Sequence, residues 1–80
     1  IPIDILVDSN YEDISEGVEK IWPSIPINST FKILVKKRFT DLSSRRIIEY
    51  TAKNIDRKVD LRNPDYIIDI EIVGSKTGIS

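Results

Sequence analysis

Tyr66-Ile67-Ile68-Asp69-Ile70-Glu71-Ile72 is the stretch on which the fold turns. Tyr66, Ile68, Ile70 and Ile72 alternate with Ile67, Asp69 and Glu71, the pattern of a strand with one buried and one wet face. Asn63-Pro64-Asp65 ahead of it reads as a turn, because proline pushes the residue before it out of helical backbone. Gly74-Ser75-Lys76-Thr77 behind it reads as a hairpin turn, after which Gly78-Ile79-Ser80 begins another strand and stops short. The same alternation recurs upstream, in Ile3, Ile5 and Val7 against Asp4, Leu6 and Asp8, and in Phe31, Ile33 and Val35 against Lys32, Leu34 and Lys36. A doubly wound sheet buries both faces and would not leave Asp4, Lys32, Asp69 and Glu71 pointing outward.

Between these strands the apolar period becomes helical. Ser9-Asn10-Tyr11-Glu12 matches a capping box, with Ser9 as cap and Glu12 reaching back to it. Tyr11, Ile14, Val18 and Ile21 follow on one face with Trp22 beside them, and Glu12, Asp13, Glu16 and Glu19 take the outer face. Pro23 ends this helix, and a loop runs from Ser24 to Thr30. Thr40-Asp41-Leu42 then turns into a second helix capped by Ser43 or Ser44. On it Ile48, Ala52, Ile55 and Val59 share a face with Ile47 alongside, and Glu49 and Lys53 stand in the favourable i,i+4 order. The order is βαβαβ with a truncated last strand. It predicts an α+β fold of two layers, a small mixed sheet with both helices packed on one face and right-handed crossovers. Residues 1–80 read as one domain without internal repeats.

Composition narrows the chemistry. Neither Cys nor His occurs, which removes disulfides, thiol catalysis, zinc–cysteine sites, the usual general base and the commonest metal ligand. The lack of thiols fits a reducing cytoplasm, and no apolar run is long enough for a membrane span. Opening on Ile1-Pro2 with no Met anywhere, the chain reads as a piece of something longer. Its formal net charge of −1 hides a division. Asp4, Asp8, Glu12, Asp13, Glu16 and Glu19 face only Lys20 in the first thirty residues, whereas cations dominate from Lys32 to Arg62. Such asymmetry points to a polar partner, nucleic acid above all, against the plainer reading of a solvated basic face.

Candidate catalytic groups give little. Asp69 and Glu71 fall on one strand face as a metal or acid/base pair would, but that face is the solvated one. Asp4 and Asp8 share a face about 13 Å apart, too far for one ion. Gly74-Ser75-Lys76-Thr77 lacks the glycines of a phosphate-binding loop, which leaves Lys76 at most as a point charge for a phosphate. Ser43 and Ser44 have no histidine to activate them. Trp22 and Tyr11 sit on the apolar stripe of the first helix and read as core rather than as base-stacking groups. There is no cofactor fingerprint, so the reading is of a non-enzyme. The basic stretch remains: Lys36, Lys37 and Arg38 at a strand end and Arg45 and Arg46 at a helix start, close enough in sequence for one patch of five cations suited to phosphates.

Phe31-Lys32-Ile33-Leu34-Val35-Lys36-Lys37-Arg38 followed by a Ser-Arg helix resembles the core of THUMP domains. Val59-Asp60-Leu61-Arg62-Asn63-Pro64-Asp65 running into Ile68-Asp69-Ile70-Glu71-Ile72 resembles that family's turn and strand, as do Ile1-Pro2-Ile3-Asp4 and Gly78-Ile79-Ser80 at the two ends. Within the family the likeness is greatest to the stand-alone archaeal and eukaryotic proteins related to the adaptor for tRNA cytidine acetylation. The resemblance implies an RNA-binding module without cofactor that grips the acceptor stem and 3′ tail of tRNA for a separate modification enzyme, in cis or in trans. It also implies an N-terminal ferredoxin-like domain and a last strand continuing past Ser80. Carried onto this chain, the implied RNA contacts are Lys36, Lys37, Arg38, Arg45 and Arg46, with Arg62, Asn63 and Lys76 added from the loops. The turn at 59–65 is expected to be structural, with Val59 and Leu61 packing and Asn63 and Asp65 bonding local backbone. Two other readings stand beside it: a scaffold domain whose sheet edge pairs with a partner chain, involving the strand from Tyr66, and an enzyme with a carboxylate site at Asp69 and Glu71.

Overall fold

The computed structural model describes residues 5–80. Ile3 and Asp4, assigned to the first strand, lie outside the described residues, as do Ile1 and Pro2. The elements run β1 (Ile5–Asp8), α1 (Tyr11–Glu19), a 3₁₀ turn (Trp22–Ser24), β2 (Thr30–Arg38), α2 (Ser44–Ala52), β3 (Lys58–Val59), β4 (Tyr66–Val73) and β5 (Lys76–Ile79). The sheet order is β1-β5-β4-β2-β3. β2 is parallel to β3 and β4, and β5 is antiparallel to β4 and β1, so the sheet is mixed as the alternation predicted. No helix among the described residues is long and apolar enough to cross a membrane.

One face of the sheet carries both helices. Phe31, Ile68, Ile70, Ile72 and Ile79 meet Ile14 and Val18 of α1 and Ile47 of α2, while Ile21, Ile25 and Ile55 close the ends of this core. Ile68, Ile70 and Ile72 are each buried to within 1% of complete, as the period of two requires. Gly17 lets α1 lie directly on the sheet: a Cβ there would stand 2.6 Å from Ile79 Cδ1 and 3.3 Å from Val7 Cγ1.

Several local expectations are corrected. Asn10, not Ser9, caps α1, its Oδ1 accepting the Asp13 N–H at 2.8 Å. Ser9 instead pairs its hydroxyl with that of Thr77 in β5 at 2.8 Å, and its N–H donates to Ser75 O, in the turn before β5, at 2.9 Å. α2 stops at Ala52 and buries Ile47 and Thr51, leaving Ile48 39% exposed. The helix is thus turned by about one residue from the predicted face. A threonine inside is tolerable because its Oγ1 donates to Ile47 O at 2.8 Å. Ile55 is buried from the loop after the helix, and Val59 falls in the short strand β3, 55% exposed. Glu49 takes Arg45 at 3.6 Å as its partner, while the Lys53 ammonium lies over the Tyr50 ring at 4.9 Å. Ser43 caps α2, one of the two residues expected. β5 begins at Lys76, so the hairpin turn is only Gly74-Ser75, with Gly74 at φ 58 supplying the left-handed backbone of a tight primed turn. β1 and β3 are the outer strands. β4 pairs with β2 along its whole length but with β5 only from Ile70 to Val73, so among the described residues its start at Tyr66–Ile68 has no strand partner on the β5 side.

Candidate functional site

All three longer parallel directions of the sheet end at one rim. β2 ends at Arg38 and β4 at Val73, which are register partners, and β1 ends at Asp8, opposite Lys76. Both helices start from the same rim, because the Ser43 N–H at the head of α2 donates to the Tyr11 hydroxyl at the head of α1 at 3.0 Å. The loop between β2 and α2 is fixed at both ends. Arg38 O accepts the Gly74 N–H at 2.9 Å, Lys37 Nζ donates to Leu42 O at 2.9 Å, and the Leu42 N–H meets Thr40 Oγ1 at 3.2 Å.

The expected five-cation patch is divided by the pleat of β2. Alternate residues of a strand face opposite ways, so Lys37 follows Phe31, Ile33 and Val35 to the helix side and reaches the head of α2. Lys36 and Arg38 emerge on the open face with Lys32 and Leu34. Lys36 Nζ sits 3.8 Å from Asp69 Oδ2 and 3.8 Å from Glu71 Oε1, so its charge is shared with the two carboxylates. At such exposed, long pairs the mutual stabilisation is small, about 0–1 kcal/mol. Arg45 is paired with Glu49. Lys76 donates to Asp8 Oδ1 at 2.8 Å, and this hydrogen bond and charge raise the Lys76 pKa above its ordinary value. Among the described residues, Arg38 and Arg46 have no carboxylate within ion-pair distance.

Arg62 and Asn63 lie elsewhere. They precede β4, whose first residue Tyr66 pairs with Phe31 near the start of β2, so they occupy the opposite rim, about 25 Å from Arg38 at strand rise per residue. The turn that carries them is structural; Asp65 bonds backbone as expected, although that of β2 rather than of the turn itself, and Asp60 takes the role expected of Asn63. Asp60 Oδ1 accepts the Arg62 and Asn63 N–H groups at 3.0 Å each, and Asp65 Oδ2 accepts the Thr30 N–H at 2.9 Å, pinning the turn to β2. Leu61 is 74% exposed and, like Val59, packs little.

Asp69 and Glu71 share the open face as their spacing predicted, with Lys36 between them, and Asp69 Oδ1 is buried without a hydrogen-bond partner. Tyr11 and Trp22 pack against the core. Tyr11 also stacks on Tyr50 at 5.4 Å, and the Arg57 guanidinium covers Trp22 at 5.1 Å. The sequence reading passed over Phe39, which is 86% exposed at φ 55 on the same rim as Arg38. Its signal was available: an aromatic immediately after the strand period lapses and before the helix period starts.

Comparison with known proteins gives a consistent result. A family model described as THUMP domain matches residues 8–80. Among solved structures, the fold matches PH1313 from Pyrococcus horikoshii with a TM-score of 0.73 at 25% identity, over 95% of this chain and 28% of that one. It matches a 4-thiouridine synthetase, solved as an RNA complex with bound ATP, with a TM-score of 0.67 at 21% identity, over 95% of this chain and 22% of that one. It also matches TrmN from Thermus thermophilus with a TM-score of 0.62 at 16% identity, over 95% of this chain and 26% of that one. The chain therefore spans little more than a quarter of each of these proteins at most. No curated protein matches it by sequence.

Proposed function

This chain belongs to the THUMP domain family, and on that premise we propose that it is a tRNA-binding module that holds the acceptor stem and 3′ tail for a separate modification enzyme, in cis or in trans. One observation carries the reading: Lys37, on the helix side, Arg38, on the open face, and Arg46, at the head of α2, all stand at the rim where β2 hands over to α2, and no carboxylate among the described residues pairs with them. Ammonium and guanidinium groups at that rim meet phosphates, and the amide N–H groups at the start of α2 add to the attraction. RNA helices are recognised mainly by shape and backbone, so preference comes from the geometry of stem and tail rather than from base sequence. The match to a synthetase solved with RNA supports the same direction. Lys36, Arg45 and Lys76 contribute through charges they already share with Asp69, Glu49 and Asp8, whereas Arg62 and Asn63 at the far rim reach a different part of the RNA. The module itself supplies no reacting group. Within the family, a likeness to the stand-alone cytidine acetylation adaptors makes an acetyltransferase one candidate for the enzyme served.

The test is a binding titration with tRNA. Replacing Lys37, Arg38 and Arg46 together by Glu is expected to abolish binding while circular dichroism stays as in the wild type. Undiminished affinity in that variant removes the rim from the argument.

A further inference from the structure

We propose that Phe39 is a stacking platform for an unpaired base of the RNA 3′ tail, a role that rests on the RNA-binding reading above. Phe39 is 86% exposed and has no part in the core cluster. Its φ of 55 places a bulky side chain in left-handed backbone, where glycine sits without cost and a large residue is strained. Folding gains nothing from a phenylalanine here: the ring is not buried, and the backbone would be easier with glycine. Strain of this kind persists only where the surroundings over-determine it. The surroundings do so: Arg38 O is held by Gly74 N–H on one side, and Leu42 is held by Lys37 and Thr40 on the other. The ring is therefore presented to solvent from a loop fixed at both ends.

Its neighbours decide the occupant. Arg38, Thr40 and Asp41 flank Phe39 in sequence, and Lys37 and Arg46 stand on the same rim. A protein partner anchored on an aromatic normally surrounds it with further apolar contacts that exclude water. A nucleobase asks only for a flat face, with cations nearby for the flanking phosphates, and it accepts any base because each has a π-face. An exposed aromatic beside Arg38, on a rim that also carries Lys37 and Arg46, matches the second partner.

The experiment uses the full-length protein with Phe39→Gly and Phe39→Trp. Affinity is measured for an acceptor-stem hairpin with and without its single-stranded 3′ tail, together with thermal melting. Phe39→Gly is expected to melt higher than the wild type, because glycine adopts φ 55 freely. Its affinity for the tailed hairpin should fall about tenfold or more, with the blunt hairpin unaffected. Phe39→Trp should keep the preference for the tail. Wild-type affinity of Phe39→Gly for the tailed hairpin overturns the stacking role, and loss of binding in the triple Glu variant then shows that the RNA-binding reading survives. An equal fall for tailed and blunt hairpins also overturns it, since Phe39 would then only shape the loop. Unchanged RNA affinity with lost association to a modification enzyme would make Phe39 a protein anchor instead. A wild type that binds neither hairpin sinks both readings.

Discussion

Asn10 closes the head of α1 with both ends of its amide, Oδ1 taking the Asp13 N–H at 2.8 Å while Nδ2 donates to Asp13 Oδ2 at 3.1 Å. Asn10→Ala removes the cap and should lower stability by about 1 kcal/mol in urea denaturation. Asp60 does comparable work in the turn before β4. The Asn63 and Arg62 N–H groups hold its carboxyl below the ordinary value of 3.8. A carboxylate with a depressed folded-state pKa stabilises above its unfolded pKa, and that contribution is lost as pH falls through the folded value. Stability should therefore decline as pH drops below about 4. Asp60→Asn keeps an acceptor for the turn but carries no charge, and denaturation across this range should show a flatter acid limb. Undiminished steepness in that variant assigns the decline to other carboxylates.

At the scale of elements, the contact of α1 with the sheet is set by Gly17, whose missing side chain leaves room for Ile79 and Val7. Gly17→Val overfills this contact and should cost about 2 kcal/mol or more, read as a lowered melting temperature. Ile79 is only 1% exposed, so its Cδ1 has nowhere easy to go. α2 obeys a different constraint. Its apolar residues permit two neighbouring faces, one centred on Ile48 and one on Ile47 with Thr51, and the helix adopts the second. Periodicity could not choose between them, because threonine reads as polar until its hydroxyl is satisfied within the helix by Ile47 O. β3 was equally invisible: Lys58-Val59 is too short for any alternation, and it exists because β2 offers Thr30 and Phe31 as partners.

For the whole molecule, a formal charge of −1 gives RNA no general attraction, so the affinity must be local. Removing the charges of Lys37, Arg38 and Arg46 should reduce the slope of log affinity against log salt by about two to three units, at roughly 0.7 to 0.9 per phosphate contact. A slope that does not change would show that these cations are not at the phosphates. Proximity along the chain made the basic cluster readable, with Lys36, Lys37 and Arg38 before a short turn and Arg45 and Arg46 after it. What it could not show was which charges are already met. Lys36 is matched by Asp69 and Glu71, residues more than thirty positions away, and Lys76 by Asp8 across 68 positions. Arg62 and Asn63 enter by family likeness as contacts from the loops, and only the register of β4 with β2 shows that they lie at the far rim. By itself the sequence determined two layers, the buried face of β4 and the succession of strands and helices, because periods of 2 and 3.6 residues are local properties of a chain. Only the tertiary structure decided the pairing order of the strands, the turn of α2, the cap of α1 and the division of the cations. Each of those depends on a partner brought close by packing, and no local pattern records it.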